Sequence, residues 1–154
     1  MTDGAPVLRL PLRDEAATHA LGRRIAARLR GGDVVALSGG LGMGKTTIAR
    51  AIIAALGHEG EVPSPSFAII QTYDPPSVSL PICHADFYRL DDPAEVEELG
   101  LDDYRRDAAL IAEWPEHAGG FEFDPACLSI RLEPADEGRI AIVKGAKDWQ
   151  GRMP

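Results

Sequence analysis

Cysteine is scarce in this chain: Cys83 and Cys127 are the only two in 154 residues, and both sit inside apolar runs. A pair so sparse and so widely spaced excludes a disulfide framework and a multi-cysteine zinc site, and it suits reduced thiols packed in a core. A reducing cytoplasm is the compartment this predicts. Long apolar runs are missing too. Nothing approaches the roughly 18 consecutive apolar residues of a membrane span, and "MTDGAPVLRLPLRDE" has neither the basic opening nor the apolar stretch of a signal peptide. The expectation is a cytosolic chain that engages no membrane. Positive charge is in deficit, with 16 Lys and Arg against 24 Asp and Glu, a net charge of -8. A surface of that sign repels a phosphate backbone, so unaided binding to nucleic acid is not expected. Internal repeats and low-complexity linkers are absent. The length suits one domain over residues 1–145, and "AKDWQGRMP", residues 146–154, has no periodicity and is expected to be a loose tail.

What is present is an alternation of helical and strand-like segments. "DEAATHALGRRIAARL" spaces Ala17, Leu21, Ile25 and Leu29 four apart behind Asp14 as N-cap, which predicts an amphipathic helix. "DVVALS" reads as a buried strand. Ile48, Ile52, Ile53 and Leu56 return to helical spacing, with Gly57 where a helix terminator is wanted. "FAIIQTY" and "LPICHADFY" predict an antiparallel strand pair. "DDPAEVEELG" predicts a capped helix with Asp92 as N-cap, Pro93 at N1, Glu95 at N3 and Gly100 as terminator. "AALIAEW" reads as a buried strand ending in a carboxylate, and "CLSIRLE" with "RIAIVKG" as a hairpin.

Between the first strand and the second helix lies "LSGGLGMGKTT". Gly39-x-x-x-x-Gly44-Lys45-Thr46 is the complete phosphate-loop pattern, in which glycines let successive backbone N–H groups face phosphates. Lys45 is placed to reach the β and γ phosphates and the Thr46 hydroxyl to ligate Mg²⁺, with the following helix aiming its positive end at the same anion. Such a site needs a carboxylate near the metal. Glu113, ending "AALIAE", and Asp86, in "HADFY", are the two candidates; each reads equally well as a surface charge at a strand end. Alternation predicts that His84, Asp86 and Tyr88 share a face. Ser64 and Ser66 in "VPSPSF" are either turn residues or hydroxyls of a segment sensing the γ-phosphate. His84 reads as structural, Trp114 as core packing by default, Arg105 and Arg106 as solvated, and Met43 as an apolar filler.

Taken together, "LGMGKTT", "SPSF", "HADFYRL", "EELGLDDY" and "EWPE", in this order and at these distances, resemble the bacterial TsaE (YjeE) family, the ATPase component of the tRNA threonylcarbamoyladenosine biosynthesis machinery. The likeness runs from about Leu10 through Arg139. It implies an α/β fold, a P-loop NTPase three-layer sandwich with a mixed parallel and antiparallel sheet. It implies ATP and Mg²⁺ as cofactors, and two partner proteins, TsaB- and TsaD-like, through which tRNA is engaged only indirectly. Carried over by position, it implies phosphate contacts from Gly42, Met43, Gly44, Lys45, Thr46 and Thr47, and Mg²⁺ ligands at Thr46 and Glu113. Asp86 takes the role of the acid needed for hydrolysis, beside Lys45 as the other catalytic residue. Thr18, Ser66, Trp114 and Arg139 fall near the nucleotide. The chain departs from the pattern at Gly40, where aspartate is usual, at Met43, which replaces a smaller residue, and at Ser66, which keeps the hydroxyl of a threonine.

Two other functions fit a phosphate loop in a chain of this size. A small-molecule kinase would need arginines to clamp the transferred phosphoryl group, for which only Arg105 and Arg106 offer themselves. A nucleotide-dependent binding module would hold ATP without turning it over. A GTPase is disfavoured because no Asn-Lys-x-Asp motif occurs.

Overall fold

The computed structural model describes residues 7–40, 42–62 and 70–154, which form one seven-stranded sheet with helices on both faces. In chain order the elements are β1 (Val7–Leu12), α1 (Glu15–Arg28), β2 (Val34–Gly39), α2 (Lys45–Ala55), β3 (Ile70–Tyr73), β4 (Ile82–Asp86), α3 (Glu95–Glu98), α4 (Leu101–Arg105), β5 (Ala109–Glu113), β6 (Cys127–Pro134) and β7 (Arg139–Gly145). Short 3-10 turns span Pro115–Ala118 and Lys147–Trp149. The strand order is β1-β7-β6-β2-β5-β4-β3. Strand β2 runs parallel to β5 and β6, and β4 parallel to β5. The pairs β1/β7, β6/β7 and β3/β4 are antiparallel, so the sheet is mixed and the expected hairpin and antiparallel pair are both present.

The buried central strands explain the three layers. Along β2, Val35 and Leu37 face one side with Ile25 of α1 and Ile48 and Ile52 of α2. Val34 and Ala36 face the other, against Phe87, Leu90 and Leu101. A strand covered on both faces reads as a continuous apolar run, which is what "VVAL" is. Helix α1 starts where expected, with Asp14 Oδ1 accepting from Ala17 N–H at 2.9 Å. Gly22 lets α1 press onto Ala51 of α2 so closely that no side chain would fit there. Both cysteines are buried and free. Burial pushes the Cys83 thiol up to about 12 and the Cys127 thiol up to about 11.

Three expectations are corrected. The tail is not loose: Trp149 is fully buried and donates from Nε1 to Ala126 O, and Arg152 makes two 2.7 Å bonds to the buried carboxylate of Asp33 while stacking on Trp149. Short-range periodicity carries no sign of this, because the tail's partners are distant in sequence, Ala126 by 23 residues and Asp33 by 119. The helix expected from Asp92 to Gly100 shrinks to the single turn Glu95–Glu98. Asp92 does cap, its Oδ1 accepting from Ala94 N–H, but the backbone bonds that follow join residues three apart (Glu95 N to Asp92 O, Val96 N to Pro93 O, Glu97 N to Ala94 O), so most of the segment is turn and not α-helix. Arg105 is not solvated; its guanidinium pairs with Asp124 at 2.7 Å. Ser64 and Ser66, singled out above, lie outside the described residues.

Candidate functional site

Few polar residues are buried among those described, and most of them meet at one place. Thr18, Lys45, His84 and Glu113 are at most 7% exposed. Burying such groups is costly unless they are paired, so their concentration marks the site. It lies at the carboxyl ends of β2, β4 and β5, where open α/β sheets collect ligands.

The loop after β2 supplies the cradle. Gly39 and Gly44 have φ of +134° and +102°, in the region that favours glycine. At Gly39 a Cβ would stand 2.8 Å from Leu132 O, so both conformation and space require glycine there. Gly40 behaves differently, since a Cβ on it would meet only Met43 Cγ at 3.8 Å. Crowding of a Cβ among the described residues therefore does not explain why the aspartate implied by the resemblance is absent there. Helix α2 then opens with Gly44 as an N-cap that has no side chain, which leaves the first-turn amides pointing into the loop. Lys45 folds back along the loop, donating from Nζ to Gly39 O (2.9 Å) and Gly40 O (2.8 Å), and its ammonium sits 4.3 Å from the centre of the Trp114 ring. Burial pulls its pKa down, against the opposing pull of Glu113, Glu116 and Asp86.

The parallel pairing of β4 with β5 sets Asp86 beside Glu113. Glu113 is buried, and Thr46 Oγ1 donates to its Oε1 at 2.8 Å while His84 Nε2 lies 2.7 Å from its Oε2. Asp86 is half-buried. Its Oδ1 accepts from Tyr88 N–H at 2.9 Å, and burial foremost, with Glu113 adding to it, raises its pKa. Trp114 follows Glu113 with φ of +55°, in the left-handed region where non-glycine residues are strained. That turn lays the indole over Lys45 and against Tyr88 at 4.9 Å between ring centres, while its other contacts pack against the core cluster under β4 and β5.

Gly42 to Thr47, Asp86, Tyr88, Glu113, Trp114 and Arg139 line one hollow of about 390 Å³. Thr18, Met43, Gly44, Thr47 and Arg139 line a second of the same size beside it. Arg139 bridges the two, donating to Gly42 O at 2.8 Å. A larger hollow of about 710 Å³ between α1 and α2 shares Thr47 but none of the buried acids, so volume alone does not locate the chemistry. Apart from Ser66, which lies outside the described residues, the residues that the resemblance implies for the nucleotide and metal site all line these two hollows. Two contributors were missed. His84, read only as structural, holds the key carboxylate, and His117 braces the end of β4 through Phe87 O and Tyr88 O. The shared face of His84 and Asp86 was the available signal for the first; nothing in the sequence points to the second.

The donor set can be tested for the groups it would suit. Thr46, Glu113 and Asp86 offer hard oxygens, and the described residues contain no cluster of three or more His, Cys, Asp or Glu able to cage a metal. One or two protein oxygens, with phosphates and water supplying the rest, is how Mg²⁺ is held at nucleotide sites. The residues fit a Mg²⁺-nucleotide and do not fit a structural metal. No helix among those described is long and apolar enough to cross a membrane.

Comparison with known proteins bears on the family and the fold. The family model for threonylcarbamoyl adenosine biosynthesis protein TsaE matches residues 12–141. The tRNA threonylcarbamoyladenosine biosynthesis protein TsaE of Streptomyces coelicolor is 44% identical over 131 residues, covering 81% of this chain and 88% of its own. The Mycobacterium leprae protein of the same name is 39% identical, with 86% and 84% covered. The crystal structure of Bacillus subtilis YdiB superposes with a TM-score of 0.76 at 28% identity, over 94% of this chain and 88% of that one.

Proposed function

Because the chain belongs to the TsaE family of threonylcarbamoyl adenosine biosynthesis proteins, we propose that it is a Mg²⁺-dependent ATPase serving tRNA threonylcarbamoyladenosine formation. In this reading it works in the cytoplasm and couples hydrolysis to a complex of TsaB- and TsaD-like proteins, engaging tRNA only through them. The observation that carries the reading is the 2.8 Å bond from Thr46 of the phosphate loop to Glu113, with Asp86 beside that carboxylate.

Thr46 and Glu113 would hold the metal, which when bound neutralises charge on the β and γ phosphate oxygens. The loop amides and the start of α2 bind the phosphates. Lys45 exchanges its bonds to Gly39 O and Gly40 O for phosphate oxygens, and its ammonium supplies the charge that offsets the one developing there. Asp86 orients the attacking water and accepts its proton. A carboxylate with a raised pKa is better matched to that task than one in its ordinary range. Thr18, Met43 and Arg139 line the adjoining hollow, where the nucleoside would lie.

A small-molecule kinase loses its support. Arg105 is bound to Asp124, Arg106 lines a separate hollow with Asp74 and Tyr104, and Arg139 alone among the described arginines lines the loop hollow. The test separates binding from turnover. Lys45→Ala is expected to abolish ATP binding, measured by calorimetry. Asp86→Ala is expected to bind ATP normally while phosphate release falls about 10²–10⁴-fold. Normal turnover in Asp86→Ala would remove that residue from the chemistry.

A further inference from the structure

His84 is fully buried on β4, yet it carries no apolar side chain and takes no part in the chemistry described above. Its surroundings give it one polar task. Nε2 lies 2.7 Å from Glu113 Oε2, and Nδ1 is buried with no hydrogen-bond partner among the described residues. An N–H at Nδ1 would be buried and unsatisfied, a costly arrangement, whereas a bare lone pair there costs less. The hydrogen therefore belongs on Nε2, which makes the ring a donor to the carboxylate. Glu113 then receives two donors, one on each oxygen: Thr46 Oγ1–H on Oε1 and His84 Nε2–H on Oε2. Both bonds run across the strand ends, one from α2 and one from β4. Between them they fix the carboxylate's position and its rotation.

We infer that His84 is a positioning residue for the metal site, holding the Glu113 carboxylate so that its oxygen beside Thr46 faces a Mg²⁺-nucleotide. The inference rests on the reading of this site as one that binds Mg²⁺ with ATP. His84 touches neither phosphate nor metal; it acts through Glu113. A carboxylate held only from the Thr46 side could rotate about its terminal bond, and Thr46 would have to exchange that bond for the cation. The His84 bond is the one that persists through this exchange, so it sets where the carboxylate stands when the metal arrives. Outer-shell partners of this kind typically account for about 10–100-fold in metal affinity.

The two amide residues discriminate, because the Gln amide nitrogen mimics Nε2 and the Asn amide nitrogen mimics Nδ1. Mn²⁺ binding to the ADP-loaded protein, followed by electron spin resonance, is expected to weaken about 10–100-fold in His84→Asn and to stay within about threefold of wild type in His84→Gln. Calorimetric ADP affinity without metal should be unchanged in both. Wild-type Mn²⁺ affinity in a folded His84→Asn, when Glu113→Gln has lost it, would overturn the inference alone. Unchanged Mn²⁺ binding in both Glu113→Gln and Thr46→Ala would instead remove the metal-site reading, and this inference with it. Should His84→Asn fail to fold, ¹⁵N resonances of the wild-type imidazole decide the matter: a hydrogen on Nε2 is expected, and an Nε2 without one overturns the assignment.

Discussion

Asp86 stands in two opposed roles. Half-buried and facing Glu113, its carboxyl resists ionisation, so the folded state holds it at a pKa above its unfolded value. The sign follows by linkage: the folded state binds the proton more tightly, so this residue favours folding below the ordinary carboxylate range near pH 4 and loses that contribution as pH rises through its folded pKa. Asp86→Asn keeps an oxygen for the Tyr88 N–H and removes the charge. It is expected to raise the melting temperature by a few degrees at pH 7 while stopping hydrolysis, and the difference should vanish in melts below pH 4. Stability exchanged for activity is what a functional acid would show; a loss of stability at pH 7 would mean Asp86 serves the fold. At this scale much was legible. Lys45 and Thr46 are given by the loop pattern, and Glu113 and Asp86 by their places at strand ends. The role of His84 was not, because it depends on β4 lying directly beside β5, a pairing no local pattern encodes.

The elements place these residues with little slack. Helix α1 carries Thr18 and α2 carries Lys45 to Thr47, and Gly22 against Ala51 governs how closely the two helices pack. Gly22→Ala must push them apart. It should cost about 1–3 kcal/mol in denaturant unfolding and weaken nucleotide binding as Thr18 withdraws from the loop. An unchanged midpoint would show that α1 is not held at Gly22. The long, strongly periodic segments, α1, β2, α2 and β5, were readable because each has a face or two to bury. Strand β1 was not read, because "VLRLPL" contains Pro11. An edge strand tolerates proline where a central one would not, and β1 is an edge, paired only with β7. The turn at Glu95–Glu98 was over-read as a full helix, since the cap forms at Asp92 but the backbone bonds after it, such as Val96 N to Pro93 O and Glu97 N to Ala94 O, span three residues instead of four.

The whole molecule is closed by its last residues. Trp149 fills the space beside Ala126, and Arg152 ties Asp33, at the start of β2, to the end of α1 through Arg28 O. Trp149→Ala should therefore cost about 3–5 kcal/mol, a large share of the stability of a domain this size, as read from urea unfolding. A change below 1 kcal/mol would mean the tail merely rests on the surface. A net charge of -8 disfavours unaided binding to RNA, which is why the proposed tRNA-directed role is assigned through partners. Phosphate release from ATP, measured with Mg²⁺ in the presence and absence of the TsaB- and TsaD-like proteins and tRNA, tests that assignment most directly. The account predicts slow release by the isolated chain, clear stimulation by the partners, and loss of both in Asp86→Ala. Rapid release by the chain alone that the partners leave unchanged, or no release under any of these conditions, would contradict it.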